Sequence, residues 1–105
     1  MDVPRTVASK MYIAVDEIVS NILQYSGAGE LTLCCEISPQ AVMLSFSDNG
    51  TPYDPLAKPD PDVTLALDER EIGGLGIFMV KKSMDAMDYR FADGKNILTL
   101  KKLIV

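Results

Sequence analysis

The stretch PRTVASKMYIAVDEIVSNILQY, residues 4–25, decides how the rest of the chain is read. Its apolar positions Val7, Met11, Ala14, Val15, Ile18 and Ile22 recur at helical spacing, one stripe of an amphipathic helix. Pro4 suits a first helical turn, and Gly27 and Gly29 supply a stop just past Ser26. Beyond it the period changes to two. Leu31, Leu33, Cys35 and Ile37 alternate with Thr32, Cys34 and Glu36 over residues 30–37, the pattern of a strand with one buried face. Residues 41–48 repeat it through Val42, Leu44 and Phe46, and Ser38-Pro39-Gln40 between them reads as a hairpin turn.

Periodicity then fails from Asn49 to Ile72, where Pro52, Pro55, Pro59 and Pro61 fall. Loops of this length in compact domains are functional or disordered. Regular spacing resumes behind Gly73-Gly74-Leu75-Gly76, with Ile77, Val80, Met84 and Met87 in helical register. Tyr89 and Phe91 mark a third strand, Asp93-Gly94 a turn, and Ile97 to Leu103 a fourth strand. The order predicts an α+β fold, a two-layer α/β sandwich with helices on one face of a mostly antiparallel sheet and the other sheet face free.

Composition bounds the function. The 105 residues fit a single domain, 1–105, with one core. There is no histidine, which excludes a Ser-His-Asp triad, a His-ligated zinc and an internal phosphohistidine. Ten basic against fifteen acidic residues leave a net charge of −5, a poor match to a nucleic-acid backbone, so no nucleic-acid partner is expected. Cys34 and Cys35 are neighbours on a strand, point to opposite faces and cannot easily bridge; one buried and one semi-exposed thiol in a reducing compartment is the expectation. No apolar run reaches the ~18 residues of a membrane span and no signal peptide is evident, so a cytoplasmic protein without membrane contact is expected.

Three places carry candidate chemistry. Glu17 and Asn21 are four apart on the first helix, separated by about 40° around its axis, and project side by side at the border of the apolar stripe. A carboxylate beside an amide oxygen suits Mg²⁺ with a water or hydroxyl, since that ion takes few protein oxygens. Taken singly, a solvated helix flank explains the pair as well. Asp48-Asn49-Gly50 ends a strand; its carboxylate can accept from an exocyclic amine and Gly50 admits a flat ring, although an ordinary turn has the same composition. Gly73-Gly74-Leu75-Gly76 opens a helix, where free N–H groups and the helix dipole favour phosphate. No Lys-Ser/Thr follows, unlike a Walker motif.

In their joint order these stretches resemble the GHKL (Bergerat-fold) ATP-binding family of gyrase, histidine kinases and mismatch-repair ATPases, and within it the bacterial anti-sigma-factor serine/threonine kinases. The resemblance rests on residues 16–22, on 48–55, and on 69–77 with the tail 93–99. It implies ATP and Mg²⁺ as cofactors, with Asn21 holding the metal against the phosphates and Glu17 as the general base toward a serine hydroxyl. Asp48 would bind the adenine amine, with Gly50 beside the ring and Thr99 supporting it from the last strand. Gly74 and Gly76 would face the phosphates, residues 54–72 would be the ATP lid, and Arg70 would meet phosphate charge. Partners implied are a sigma factor or an anti-sigma-factor antagonist protein, one of whose serines or threonines is phosphorylated. The alternative is a non-catalytic or degenerate module that sequesters its partner.

The chain departs from the family in places. A strand and a helix normally precede the Glu/Asn helix, whereas only Met1-Asp2-Val3 stand before it here, so the N-terminal strand and helix are expected to be missing and the exposed edge to be covered in a homodimer or partner complex. Tyr25 stands where relatives often carry His, and Lys58 and Arg70 are the only basic residues of the lid.

Overall fold

The computed structural model describes residues 3–57 and 72–104. Six elements follow one another: α1 (Arg5–Tyr25), β1 (Leu31–Ile37), β2 (Ala41–Asp48), α2 (Ile72–Ser83), β3 (Ala86–Ala92) and β4 (Lys95–Leu103). The strands form one antiparallel sheet in the order β1-β2-β4-β3. Both helices lie on one face of it, the expected α+β sandwich.

Each boundary has a local cause. Pro4 precedes the first turn of α1, and Gly27, with φ of 65°, turns the chain away beyond Ser26. The β1–β2 turn is closed by Ser38, whose N–H donates to the Ala41 carbonyl at 2.9 Å while its Oγ accepts from the Ala41 N–H at 3.1 Å. Asp93 and Gly94 both have positive φ, 54° and 75°, as a tight two-residue hairpin of type I′ requires.

The inward alternation runs through Val42, Leu44, Phe46 and Asp48 on β2 and Asn96, Leu98 and Leu100 on β4. Val7, Met11, Ala14, Ile18 and Ile22 of α1 and Ile77 and Val80 of α2 cover them. Phe46, Ile18, Leu100 and Val80 are the largest side chains fully enclosed. At roughly 1.5–3 kcal/mol for each buried side chain of this kind, they anchor the two layers.

Two expectations need correction. β1 has no buried face: Leu33 and Ile37 are 42% and 46% exposed, and Cys34 and Cys35 are both free and exposed. The alternation is present, because Leu33, Cys35 and Ile37 oppose Phe46, Leu44 and Val42. However, β1 is an edge strand that α1 does not cover. A groove of about 230 Å³ separates Met11, Tyr12 and Val15 from Cys35 and Ile37. The second correction concerns α2, which starts at Ile72, so its glycines lie inside the first helical turns rather than ahead of them.

Candidate functional site

Polar residues are concentrated where α1 ends over the ends of β2 and β4. Asp48 and Asn96 are directly opposite in the β2–β4 ladder, so the alternation aims both side chains at the helix layer. They are 3% and 4% exposed, and Asn21 on α1, 7% exposed, lines the same small cavity with Ile18, Tyr53 and Tyr89. Asn21 and Asp48, distant in sequence, thus line one cavity.

Asp48 is held by two donors on one oxygen. The Gly50 N–H donates to its Oδ1 at 2.9 Å and the Asn96 Nδ2 donates to the same atom at 3.0 Å. Asn96 reaches further. Its Nδ2 also donates to the Thr51 carbonyl at 2.8 Å, and its Oδ1 accepts from the Tyr53 N–H at 2.9 Å and from the Tyr89 hydroxyl. Burial raises the Tyr89 phenol above its ordinary pKa; the Tyr53 backbone hydrogen bond opposes this, and the Asp54 and Asp48 carboxylates add to it.

Asn49 and Gly50 have structural tasks beside this. Asn49 Oδ1 accepts from the N–H groups of Gly29 and Glu30 at 2.9 and 3.0 Å, fastening the loop after α1. The Thr51 N–H donates to the Ser26 carbonyl at 2.9 Å, bringing the strand end against the helix end. A Cβ on Gly50 would lie 2.3 Å from that carbonyl oxygen, so the close approach Gly50 permits here is to the backbone of Ser26.

Glu17 lies one turn before Asn21 and meets α2. A Cβ on Gly76 would lie 2.1 Å from Glu17 Oε2, so the carboxylate rests against the bare Cα of that glycine. Gly74 belongs to the first turns of α2, and Arg70 falls outside the described residues, as does most of the expected lid. Thr99 is not brought to the cluster. It opposes Ser45, and the alternation sends it to the open face of the sheet while Asn96 and Leu98 point inward. Asn96, to which the resemblance assigned no role, stands beside Asp48 instead. The available signal was its parity with Leu98 and Leu100.

The cavity among these residues measures about 10 Å³, room for one water and not for a purine. Tyr53 closes it, stacked on Tyr25 with ring centroids 5.2 Å apart. The buried Tyr53 hydroxyl has no hydrogen-bond partner among the described residues, a cost of about 1–3 kcal/mol. The donor set, a neutral amide oxygen from Asn21 and a carboxylate from Asp48, fits a hard cation and an amine. Among the described residues no cluster of three or more acidic, cysteine or histidine side chains could hold a metal by itself.

The antiparallel sheet thus carries an Asn-bearing helix over a strand-end Asp. The pattern of the histidine kinase-like ATPase domain matches residues 1–102, and the chain belongs to that family. It is 32% identical over 87 residues to the serine/threonine-protein kinase BtrW of Bordetella bronchiseptica, an alignment covering 83% of this chain and 61% of that protein. The fold superposes on the histidine kinase AdeS of Acinetobacter baumannii with a TM-score of 0.60 at 21% identity, over 91% of this chain and 46% of that one. The chain thus spans less than two thirds of either protein. Among the described residues no helix is long and apolar enough to cross a membrane.

Proposed function

We infer that the domain binds Mg²⁺·ATP and transfers its terminal phosphoryl group to a serine or threonine of a small regulatory partner protein, as an anti-sigma-factor-type kinase would. The observation that carries this reading is the convergence of Asn21 with Asp48 in one cavity, with Glu17 set against Gly76 one turn earlier on the same helix. The likeness to BtrW supports the choice of a serine or threonine acceptor.

Asp48 accepts from the base, and Tyr53 swings off the cavity to admit it. Asn21 would hold the metal, which would supply neutralisation of phosphate charge when bound. Gly74, Gly76 and Arg70 meet the phosphates. Glu17 takes the proton of the partner's hydroxyl as that oxygen bonds the transferred phosphorus and ADP departs. A sigma factor or an anti-sigma-factor antagonist is the partner, and a homodimer or partner complex covers the open β1 edge.

Calorimetric titration with ATP, with and without Mg²⁺, tests the binding. Glu17→Gln tests the chemistry: phosphoprotein formation should fall by roughly 10²–10⁴-fold with nucleotide affinity nearly unchanged. A variant that transfers at the native rate removes Glu17 from the role of base. Binding with no phosphoprotein from the native chain and its partner would favour the sequestering module instead.

A further inference from the structure

The structure assigns to Asn96 the positioning of Asp48 as a fixed hydrogen-bond acceptor, and through it the choice of a 6-amino over a 6-oxo purine. This rests on the nucleotide reading above and adds the residue that sets its base selectivity.

The two ends of an amide side chain have nearly the same shape, so its orientation follows from its neighbours. Here the neighbours leave no choice. The Tyr53 N–H can only donate, and it reaches Asn96 Oδ1 at 2.9 Å. The Tyr89 hydroxyl bonds to the same oxygen, and burial keeps that phenol protonated, hence a donor. On the other end, the Thr51 carbonyl can only accept, and it lies 2.8 Å from Nδ2. Three groups outside Asp48 therefore turn the amide so that N–H faces the carboxylate at 3.0 Å. The Gly50 N–H falls on the same Oδ1. Both fixed donors occupy one oxygen, which leaves Oδ2 with the capacity for an incoming donor. An adenine amine donates; the oxygen of a 6-oxo purine accepts and would meet a carboxylate with nothing to give it.

Asn96 is buried, so its loss leaves Asp48 held by the Gly50 N–H alone and removes the bonds Asn96 makes to the Thr51 carbonyl and the Tyr53 N–H. A residue that merely supported the fold would weaken all nucleotides together. One that aims Asp48 alters the ratio between bases.

The test compares affinities for Mg²⁺·ATP and Mg²⁺·ITP, a 6-amino and a 6-oxo purine nucleotide, on the full chain. The native protein should prefer ATP by about 10²-fold or more. In Asn96→Leu this preference should fall about tenfold, through weaker ATP binding at nearly constant ITP binding, the worth of one buried hydrogen bond. Asn96→Ser, which can still donate to Asp48, should recover part of it. Tyr89→Phe, which removes one of the donors that lock the amide, should lower the preference by a smaller factor and settles the matter if Asn96→Leu does not fold. An unchanged ATP-to-ITP ratio in folded Asn96→Leu, or in Tyr89→Phe where the former is unfolded, overturns the role of Asn96 alone. Native protein that binds both nucleotides equally also overturns it. Native protein that binds neither overturns the nucleotide reading, and this inference with it.

Discussion

The two ends of α1 lie over the same sheet and are built on opposite terms. At the C-terminal end, helix, strand ends and loop are interlocked: Ser26 Oγ donates to the Ile22 carbonyl, Thr51 bonds back to Ser26, and Asn49, Asp48 and Asn96 tie the loops. At the N-terminal end, Met11, Tyr12 and Val15 face a groove whose far wall, Cys35 and Ile37, is exposed. Among the described residues the β1 edge beside that groove is open as well. Asn49 donates to the Glu30 carbonyl and Ser38 to that of Ala41, so the ladder bonds of the even-numbered residues point to β2 and those of Leu31, Leu33, Cys35 and Ile37 point outward. One end is closed by bonds within the chain, and the other leaves a groove and a strand edge open among the described residues. Substitutions at the first should cost stability or affinity, and at the second association.

The largest effect should come from Gly50→Ala. Its Cβ would lie 2.3 Å from the Ser26 carbonyl oxygen and 2.8 Å from its carbon, and neither backbone atom can retreat without parting α1 from β2. A loss of about 2–3 kcal/mol is expected, measured by denaturant unfolding. Unchanged stability would show that the interlock is looser than its hydrogen bonds suggest. Asp48→Asn comes next. It keeps the shape and exchanges an acceptor for a mixed group, so ATP affinity should fall by roughly 10- to 100-fold by titration, the worth of a hydrogen bond to a charged group. Native affinity would remove Asp48 from base recognition.

At the open end the double substitution Leu33→Lys, Ile37→Lys should leave monomer stability within about 0.5 kcal/mol, since both positions are already exposed. Charged side chains on an edge strand oppose strand pairing, so any dimer seen by sedimentation should dissociate. Sedimentation unaltered by the change, or a fold lost with it, would place the interface elsewhere or show the groove to be core.

The contrast also explains what could be read without coordinates. Periods of 3.6 and 2 are set by burial, so α1, β2 and β4 were legible in Val7 to Ile22, in Val42 to Phe46 and in Ile97 to Leu103. β1 carries the same alternation, but the pattern records which face could be covered and not whether a helix reaches it, hence the misjudged Cys35. The convergence of Asn21 with Asp48 came from motif order. Asn96 escaped because its parity with Leu98 and Leu100 marks only an inward position: its partners appear only when the ladder places it opposite Asp48 and three chain segments close around it. Thr99, assigned from its place in the last strand, has the wrong parity by one face.

The smallest expected effect sets one aspartate against another. Asp85 lies at the far end of β4 from Asp48, on the surface, where its Oδ2 accepts from the Leu103 N–H at 2.6 Å and pairs with Lys102 Nζ at 3.3 Å. The backbone hydrogen bond from Leu103, opposed by desolvation and supported by Lys102 and Lys10, holds its carboxyl below the ordinary value. A depressed folded-state pKa favours folding above the unfolded value and loses that support as pH falls through the folded one, so its contribution is intact at neutral pH and fades below about pH 4. Solvent and salt screen it, and Asp85→Asn should change stability at neutral pH only slightly while flattening the acid limb of the stability curve. An acid limb as steep in the variant as in the native chain would assign that pH dependence to other carboxylates. An equal loss of stability at all pH values would mean that the Leu103 contact matters through its geometry and not its charge, bringing the open end closer in kind to the interlocked one.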